Sequence, residues 1–549
     1  MRIAVYQMNS LIGDLEGNYR KILAAYQRGV QENADLAIVP ELALLGYPPQ
    51  DLVEKKEFRD KVKTYCEKLA RQTGECGLLF GSITEDFDDV GTDIFNSAIL
   101  CYNGKVQFVQ NKTLIPNYDV FDERRYFESS KQVCLHEFKG RRLGISICED
   151  IWNDKDYWNK RLYSKDPVKK LIEQGADLLI NISASPYAYG KREERRKMLE
   201  AVSQRSNVPL VYACCVGAQT DLIFDGGSLC LDKNGRTVML GKTYEEDFFI
   251  YNDSKEYKEI EHVEKCFEEE ALNALILGVK DYSRKTGFKK ALLGLSGGID
   301  SALVAFIAVK AMGPENVKVI MMPSQYSSKG SVADSEKLIS NLGISYNTVP
   351  IQNVFESVKS SLKNVFNGAP EDLAEENMQS RIRGLFLMAM SNKFNYMLLT
   401  TGNKSEIAVG YATLYGDMCG ALAVIGDLYK TEVYKISNYI NREKEIIPIE
   451  IIEKAPSAEL RPDQTDQDSL PPYDVLDKIL EMYLEENKEY EEIVSIIGDS
   501  AVVKKTLRLV DYNEFKRKQA APVLRISMKA FGYGRRFPIV HGWRKNHEN

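Results

Sequence analysis

Histidine is scarce in this sequence, with four among 549 residues. The ten cysteines form no CxxC pair, and no Cys/His spacing matches a zinc ligand set, so a zinc centre is not expected. No run reaches the roughly 18 consecutive apolar residues of a membrane span. The opening MRIAVYQMN also lacks the charged start and long apolar core of a secretory signal, so a cytoplasmic protein without a membrane partner is expected. Blocks of about five or six like charges are missing, and a net charge of -7 is mild for this length, so a nucleic-acid partner is not expected. There is no GxxxxGK[ST] loop, which disfavours a kinase or motor ATPase that transfers a γ-phosphoryl group. Repeats and low-complexity tracts are absent. What remains is an ordinary globular composition, 44% apolar and 28% charged, on a chain long enough for two large domains or several smaller ones.

The first half alternates short apolar runs with amphipathic stretches. The runs predict strands at 3–7, 36–39, 77–82, 96–102, 142–147, 178–182, 210–213 and 227–231. Apolar residues at three- and four-residue spacing predict helices at 16–32, 57–72 and 192–207. Asn103-Gly104 and Asn234-Gly235 read as hairpin turns, so this half is a layered α/β domain with more than one sheet. The polar, charge-rich stretch at 253–270 reads as a connector, and places a domain boundary between 1–262 and 263–549. Leu272, Leu275, Ile276 and Val279 then mark one helix face. A strand at 291–295, a helix at 301–312 and further strands at 317–322 and 397–400 predict a doubly wound parallel sheet.

The segment LLGLSGGIDSAL, residues 292–303, delivers an apolar strand into Ser296-Gly297-Gly298 and a helix that starts around Asp300-Ser301. The glycines let backbone N–H groups approach a polyphosphate, and the helix start adds partial positive charge. Ser296 and Ser301 are hydroxyl donors to phosphate; Asp300 makes sense there if it holds Mg²⁺. This loop resembles the SGGxDS motif of the N-type ATP pyrophosphatases, which cleave ATP to AMP and pyrophosphate. NMQSRIR at 377–383 is read as a helix start carrying Arg381 and Arg383. With it come TTGNKSEIAVGYATLYGD at 400–417, LYKTE at 428–432, PSAELRPDQTDQDSLPPYDVLD at 456–477 and FGYGRRFPI at 531–539. Together they resemble the NAD synthetase branch of that superfamily, in its glutamine-dependent form, from about residue 265 onward. The resemblance implies ATP as co-substrate, with Asp300 and Glu406 as Mg²⁺ ligands. It implies that Thr401 and Lys430 contact ATP, Ser457 the departing pyrophosphate, and Arg381 and Asp417 the deamido-NAD⁺.

Three segments of the first half form a second constellation: PELALLGYP at 40–48, NKTLIPNYDVFDERRYF at 111–127 and GISICEDIW at 144–152. Glu41, Lys112 and Cys148 each sit at or just past the end of an apolar strand, where α/β sheets present their sites. A cysteine there is by itself more often a packing residue; Cys101, Cys134, Cys214 and Cys230 are read that way. The trio resembles the Glu–Lys–Cys set of the nitrilase (carbon–nitrogen hydrolase) superfamily over roughly 1–250. That implies an α/β/β/α sandwich in which Cys148 attacks the glutamine amide with Glu41 as base and Lys112 favouring the thiolate. Glu123 is a candidate fourth acidic residue. Tyr47, Tyr118, Glu149, Ser183 and Ser185 are candidates for holding glutamine.

The fusion implies that ammonia passes internally from one half to the other, and the resemblance implies a homo-oligomer. Three rivals share parts of this sequence: another ATP-pyrophosphatase amidotransferase, a nitrilase-type amidase with a regulatory nucleotide-binding module, and a non-enzymatic scaffold. The first lacks the 456–477 segment, the second predicts no ATP consumption linked to amide hydrolysis, and the third does not need an intact triad.

Overall fold

The computed structural model describes residues 1–86, 91–462 and 464–543, so residue 463 of the 456–477 segment lies outside it. The chain divides into two units, Met1–Glu264 and Lys265–Asn549.

The first unit holds two six-stranded sheets and a hairpin. Its strands are β1 (Arg2–Gln7), β2 (Leu36–Ile38), β3 (Gly77–Glu85), β4 (Ile94–Tyr102), β5 (Lys105–Asn111), β6 (His136–Phe138) and β7 (Arg141–Ile147), then β8 (Leu178–Ser183), β9 (Leu210–Cys214), β10 (Val216–Gln219), β11 (Leu222–Asp225), β12 (Leu229–Leu231), β13 (Thr237–Leu240) and β14 (Asp247–Asn252). One sheet runs β14-β1-β2-β3-β4-β5, the other β13-β12-β9-β8-β7-β6, and β10 pairs β11. Strand alternation sends Ile3, Val5, Leu36, Ile38 and Leu100 of the first sheet against Leu143, Ile145, Leu178, Ile180 and Val211 of the second. The outward residues of the first sheet, including Ala4, Ala37, Leu78 and Phe80, meet Ile22 and Tyr26 of helix α1 (Leu15–Gln31) and Val62 and Leu69 of α2 (Lys56–Gln72). On the second sheet, Leu179, Leu210 and Tyr212 meet Leu171 of α3 (Pro167–Glu173) and Met198, Leu199 and Val202 of α4 (Lys191–Ser206). The unit is therefore an α/β/β/α sandwich.

The second unit carries one parallel sheet of five strands, β15 (Ala291–Gly294), β16 (Val317–Met321), β17 (Ser345–Thr348), β18 (Met397–Thr400) and β19 (Leu422–Ala423), in the order β17-β16-β15-β18-β19. Its helices include α5 (Phe267–Thr286), α6 (Ile299–Met312), α7 (Lys329–Leu342), α8 (Gln352–Phe366), α9 (Leu373–Phe394), α10 (Lys404–Val409) and α11 (Lys430–Ile440). Leu292, Ile320 and Leu398 face Phe355 of α8 and Ile382 of α9, while the alternate residues Ala291, Leu293 and Val319 are buried on the α6 side. Strand order reverses between β15 and β18, and in such sheets the crevice beyond that point is where ligands bind.

Four readings change. NMQSRIR is not a helix start, because α9 begins at Leu373. There the Asp372 carboxylate caps the N–H of Ala374 and Glu375 reaches back to the N–H of Asp372, so Arg381 and Arg383 sit mid-helix. The strand expected from residue 227 begins at Leu229, since Gly226 and Gly227 both hold positive φ, +70° and +68°. Leu272 and Ile276 are only half-buried; Ala271, Ala274, Leu275 and Val279 form the inner face of α5. Cys134 is exposed, not a packing residue.

Candidate active sites

In the first unit, β2, β5 and β7 bring Glu41, Lys112 and Cys148 to one buried point. The Lys112 ammonium donates to Glu41 Oε1 at 2.8 Å and to both Glu123 oxygens at 2.8 and 2.9 Å. Glu41 also accepts the Asn96 side-chain amide at 2.7 Å and the N–H of Ala184 at 2.7 Å. Tyr47 donates its hydroxyl to Glu123 at 2.9 Å. Cys148 opens a short turn, Cys148–Ile151, directly after β7, with φ at +41°. A non-glycine residue held there is strained by about 1–3 kcal/mol. Asp150 holds the turn, accepting the N–H groups of Thr113, Leu114 and Ile147 at 3.0, 2.8 and 3.1 Å, and so ties it to the segment after Lys112.

The electrostatics follow from burial. Burial pulls the Lys112 ammonium down, but Glu123 and Glu41 outweigh it and hold the lysine charged. Burial pushes the Glu123 carboxyl up to about 7 against the pull of Lys112, with Glu41 adding repulsion. Burial and the Glu41 charge push the Cys148 thiol well up, and Lys112 only partly offsets them. This balance favours the thiol over the thiolate at Cys148, so a nucleophile forms when a neighbouring base takes the proton.

Beside Cys148, the buried Glu149 accepts the Tyr118 hydroxyl on both oxygens, at 2.9 and 3.0 Å, and also the Tyr163 hydroxyl; burial raises its carboxyl. Ser183 is fully buried at the end of β8 and donates to Asn181, whose amide reaches Ser146 at 2.9 Å and the Cys148 carbonyl at 3.5 Å. Ser185 is buried too, with its backbone N–H on the Cys214 sulfur.

In the second unit a cavity of about 280 Å³ opens at the β15–β18 switch point. Ser296, Gly298, Asp300, Ser301, Thr401, Glu406, Asp417, Lys430 and Ser457 all line it. Gly297 holds φ at +81°, and a Cβ there would lie 2.6 Å from the Ser331 carbonyl, so the loop requires glycine. Ser296 and Ser301 hydroxyls lie 3.2 Å apart, and Ser296 accepts the Gly298 N–H at 3.2 Å. Lys430 bonds Asp300 and lies 3.4 Å from Glu406. Burial pushes the Glu406 carboxyl up to about 8 against Lys430, with Asp300 adding repulsion. Asn403 joins the two carboxylates, donating to Asp300 at 3.0 Å and capping α10 through the Glu406 N–H at 3.0 Å.

The N-terminal unit matches the carbon-nitrogen hydrolase family over residues 2–253, and the C-terminal unit matches the NAD synthase family over 271–520. The glutamine-dependent NAD(+) synthetase of Synechocystis sp. is 44% identical over 98% of this chain and 99% of its own length. The chain belongs to the glutamine-dependent NAD(+) synthetase family. The family member of Thermotoga maritima is 42% identical, with 99% of each chain covered. A solved family structure, the Acinetobacter baumannii enzyme in complex with adenosine diphosphate, is 37% identical over 99% of both chains with a TM-score of 0.78.

Of the two residues expected to contact deamido-NAD⁺, Asp417 lines the cavity and Arg381 is set apart. It is exposed, its guanidinium donates to the Leu414 carbonyl at 3.2 Å, and it is outside the cavity lining. Arg383, two residues on and so on the other side of the helix, lines the cavity instead; burial pulls its guanidinium down to about 10 against the charges of Glu459 and Asp417. Asn96, Asp150, Tyr163 and Asn403 were not singled out from the sequence. Only Asn403 carried a signal, an Asn three residues before a Glu at a helix start.

Proposed function

We propose that this chain makes NAD⁺ from deamido-NAD⁺, using ATP and the amide nitrogen of glutamine. What carries the reading is the pairing, in one chain, of a buried Glu41–Lys112–Cys148 site with a glycine-loop cavity that holds Asp300, Glu406 and Lys430. A nitrilase-type amidase with a regulatory module has no use for the second of these.

In the glutaminase unit the Cys148 thiol gives its proton to Glu41, and the sulfur pair bonds the amide carbon. The oxyanion that forms sits near the Lys112 ammonium, whose charge offsets it. As the tetrahedral carbon collapses, the amide nitrogen takes the proton from Glu41 and leaves as ammonia, and a thioester remains. Water, deprotonated by Glu41, then releases glutamate and the thiol. Glu149, an acidic group beside the nucleophile steadied by two tyrosine hydroxyls, holds the ammonium end of glutamine.

In the synthetase unit the Ser296–Ser301 loop cradles the phosphates of ATP through its N–H groups and hydroxyls. A nicotinate carboxylate oxygen attacks the α-phosphorus, pyrophosphate leaves, and ammonia displaces AMP from the acyl adenylate with loss of a proton. Two carboxylates share one lysine here, an excess of negative charge and hard oxygen donors that suits Mg²⁺. Asp300 and Glu406 would hold the ion, which supplies positive charge against the phosphates. Lys430 adds its own charge, and Ser457 meets the departing pyrophosphate.

The test combines amide-¹⁵N glutamine, deamido-NAD⁺, ATP and Mg²⁺ with wild type and Cys148→Ala. Labelled NAD⁺ and AMP from wild type, with the variant active on ammonium only, supports both assignments. No NAD⁺ from either nitrogen source removes the synthetase reading.

A further inference from the structure

Asn96 lies on β4 and is fully buried. Its side-chain amide donates to Glu41 Oε1 at 2.7 Å, and its main-chain carbonyl accepts the N–H of Lys112 at 2.8 Å, so one residue touches two of the three members of the triad. The orientation of the amide is fixed by its neighbour. Flipped, it would set Oδ1 against the Glu41 oxygen, acceptor to acceptor, and Oδ1 meets no donor among the described residues.

A carboxylate offers about four lone-pair positions, two on each oxygen. On Glu41 Oε1 both are taken, by the Asn96 amide and by the Lys112 ammonium. On Oε2 one is taken, by the backbone N–H of Ala184. Among the described residues' contacts a single position remains, and it is on Oε2.

We infer that Oε2 of Glu41 is the atom that accepts the Cys148 proton, and that Asn96 is the positioning residue that reserves it for this step. The Sγ–H bond breaks toward Oε2, and the sulfur pair forms the bond to the amide carbon. The carbonyl pair moves onto oxygen, and the proton on Oε2 later leaves with ammonia. An amide suits the post because it donates without titrating, whereas a second cation on Oε1 would hold the Glu41 charge too firmly to accept a proton. When Asn96 is removed, Oε1 regains a free lone pair and the carboxylate can turn about the Ala184 bond, so the base no longer keeps one lone pair on the thiol. Glutamine itself makes no contact with Asn96 in this scheme, so its binding is untouched.

The inference rests on the glutaminase reading, which is checked first: wild type must hydrolyse glutamine and Cys148→Ala must not. If Cys148→Ala still hydrolyses glutamine, that reading falls and this inference with it. With the reading in place, Asn96→Leu removes the donor at similar volume. Its kcat for glutamine hydrolysis is expected to fall by about 100-fold or more, the scale of a lost general base. KM for glutamine stays within about twofold, and ammonium-supported NAD⁺ formation is unchanged. Asn96→Ser, polar but too short to reach Glu41, is expected to lose the same kcat and guards against a packing defect in the leucine variant. A kcat near wild type in either folded variant, or a loss carried by KM instead of kcat, overturns the inference.

Discussion

Lys430 sets its ammonium on the carboxylate of Asp300, a partner 130 residues earlier in the chain. The bond joins the start of α11 to the start of α6, and Glu406 at the start of α10 lies 3.4 Å from the same nitrogen. Three helix N-termini thus converge where phosphates are proposed to bind, and one cation neutralises part of the acidic pair.

Lys430→Met is therefore expected to cut AMP formation from ATP and deamido-NAD⁺ by about 100-fold to 1,000-fold, the range for losing one fixed positive group at a developing charge. Glutamine hydrolysis in the other unit stays measurable. Coupled AMP assays beside glutamate release decide it; equal loss of both activities would mean that the chain has misfolded, not that one site has lost a cation.

Gly297→Ala tests the loop itself. The new methyl would meet the Ser331 carbonyl at 2.6 Å and hold φ at +81°, so backbone must move. Strain at such a position is about 1–3 kcal/mol. We expect a lower Tm and a loss of AMP formation, and a variant with wild-type KM for ATP would show that the loop does not approach the phosphates.

Glu123 gives a pH dependence with a defined sign. Its folded value of about 7 lies above the ordinary 4.5, because burial outweighs the attraction of Lys112. The folded chain therefore keeps a proton there that the unfolded chain has released. Its stability contribution is whole below about pH 4.5 and is lost as pH rises through 7, with a slope of up to about 1.4 kcal/mol per pH unit. Glu123→Gln removes that slope. Thermal unfolding at intervals from pH 4.5 to 7.5 should show a shallower decline in the variant; parallel curves would mean that Glu123 is ionised throughout.

Both proposed centres were legible in the sequence because each of their residues stands in a recognisable local setting. Ser296–Ser301 is one continuous loop, and Glu41, Lys112 and Cys148 each follow an apolar strand whose end is where α/β chemistry is presented. What lay hidden depends on pairing across the chain. Asn96 and Glu41 are 55 residues apart, and nothing in FNSAIL distinguishes a residue that holds a buried carboxylate from one that only packs in a sheet. β5 escaped notice for a different reason: KVQFVQN is mostly exposed, shows no clear apolar run, and is an edge strand. Arg381 falls outside the cavity lining, and its place on α9 depends on the helix phase set by the cap at Asp372, which the motif alone does not give.

Tyr118 separates substrate holding from chemistry. Its hydroxyl donates to both oxygens of Glu149, at 2.9 and 3.0 Å, in a place where burial already pushes that carboxyl up. Tyr118→Phe removes a donor that favours the ionised form, so Glu149 holds its proton to higher pH and offers less charge to the ammonium of glutamine. A hydrogen bond to a charged group contributes about 1.5–3 kcal/mol, and part of that loss reaches the substrate. KM for glutamine is expected to rise about tenfold, with kcat changing much less. The rise should shrink at higher pH, where Glu149 ionises without help. Steady-state glutamine hydrolysis at two pH values reads both effects. A fall in kcat at constant KM would instead put Glu149 among the groups that act on the Cys148 thioester, and the ammonium end of glutamine would need another partner.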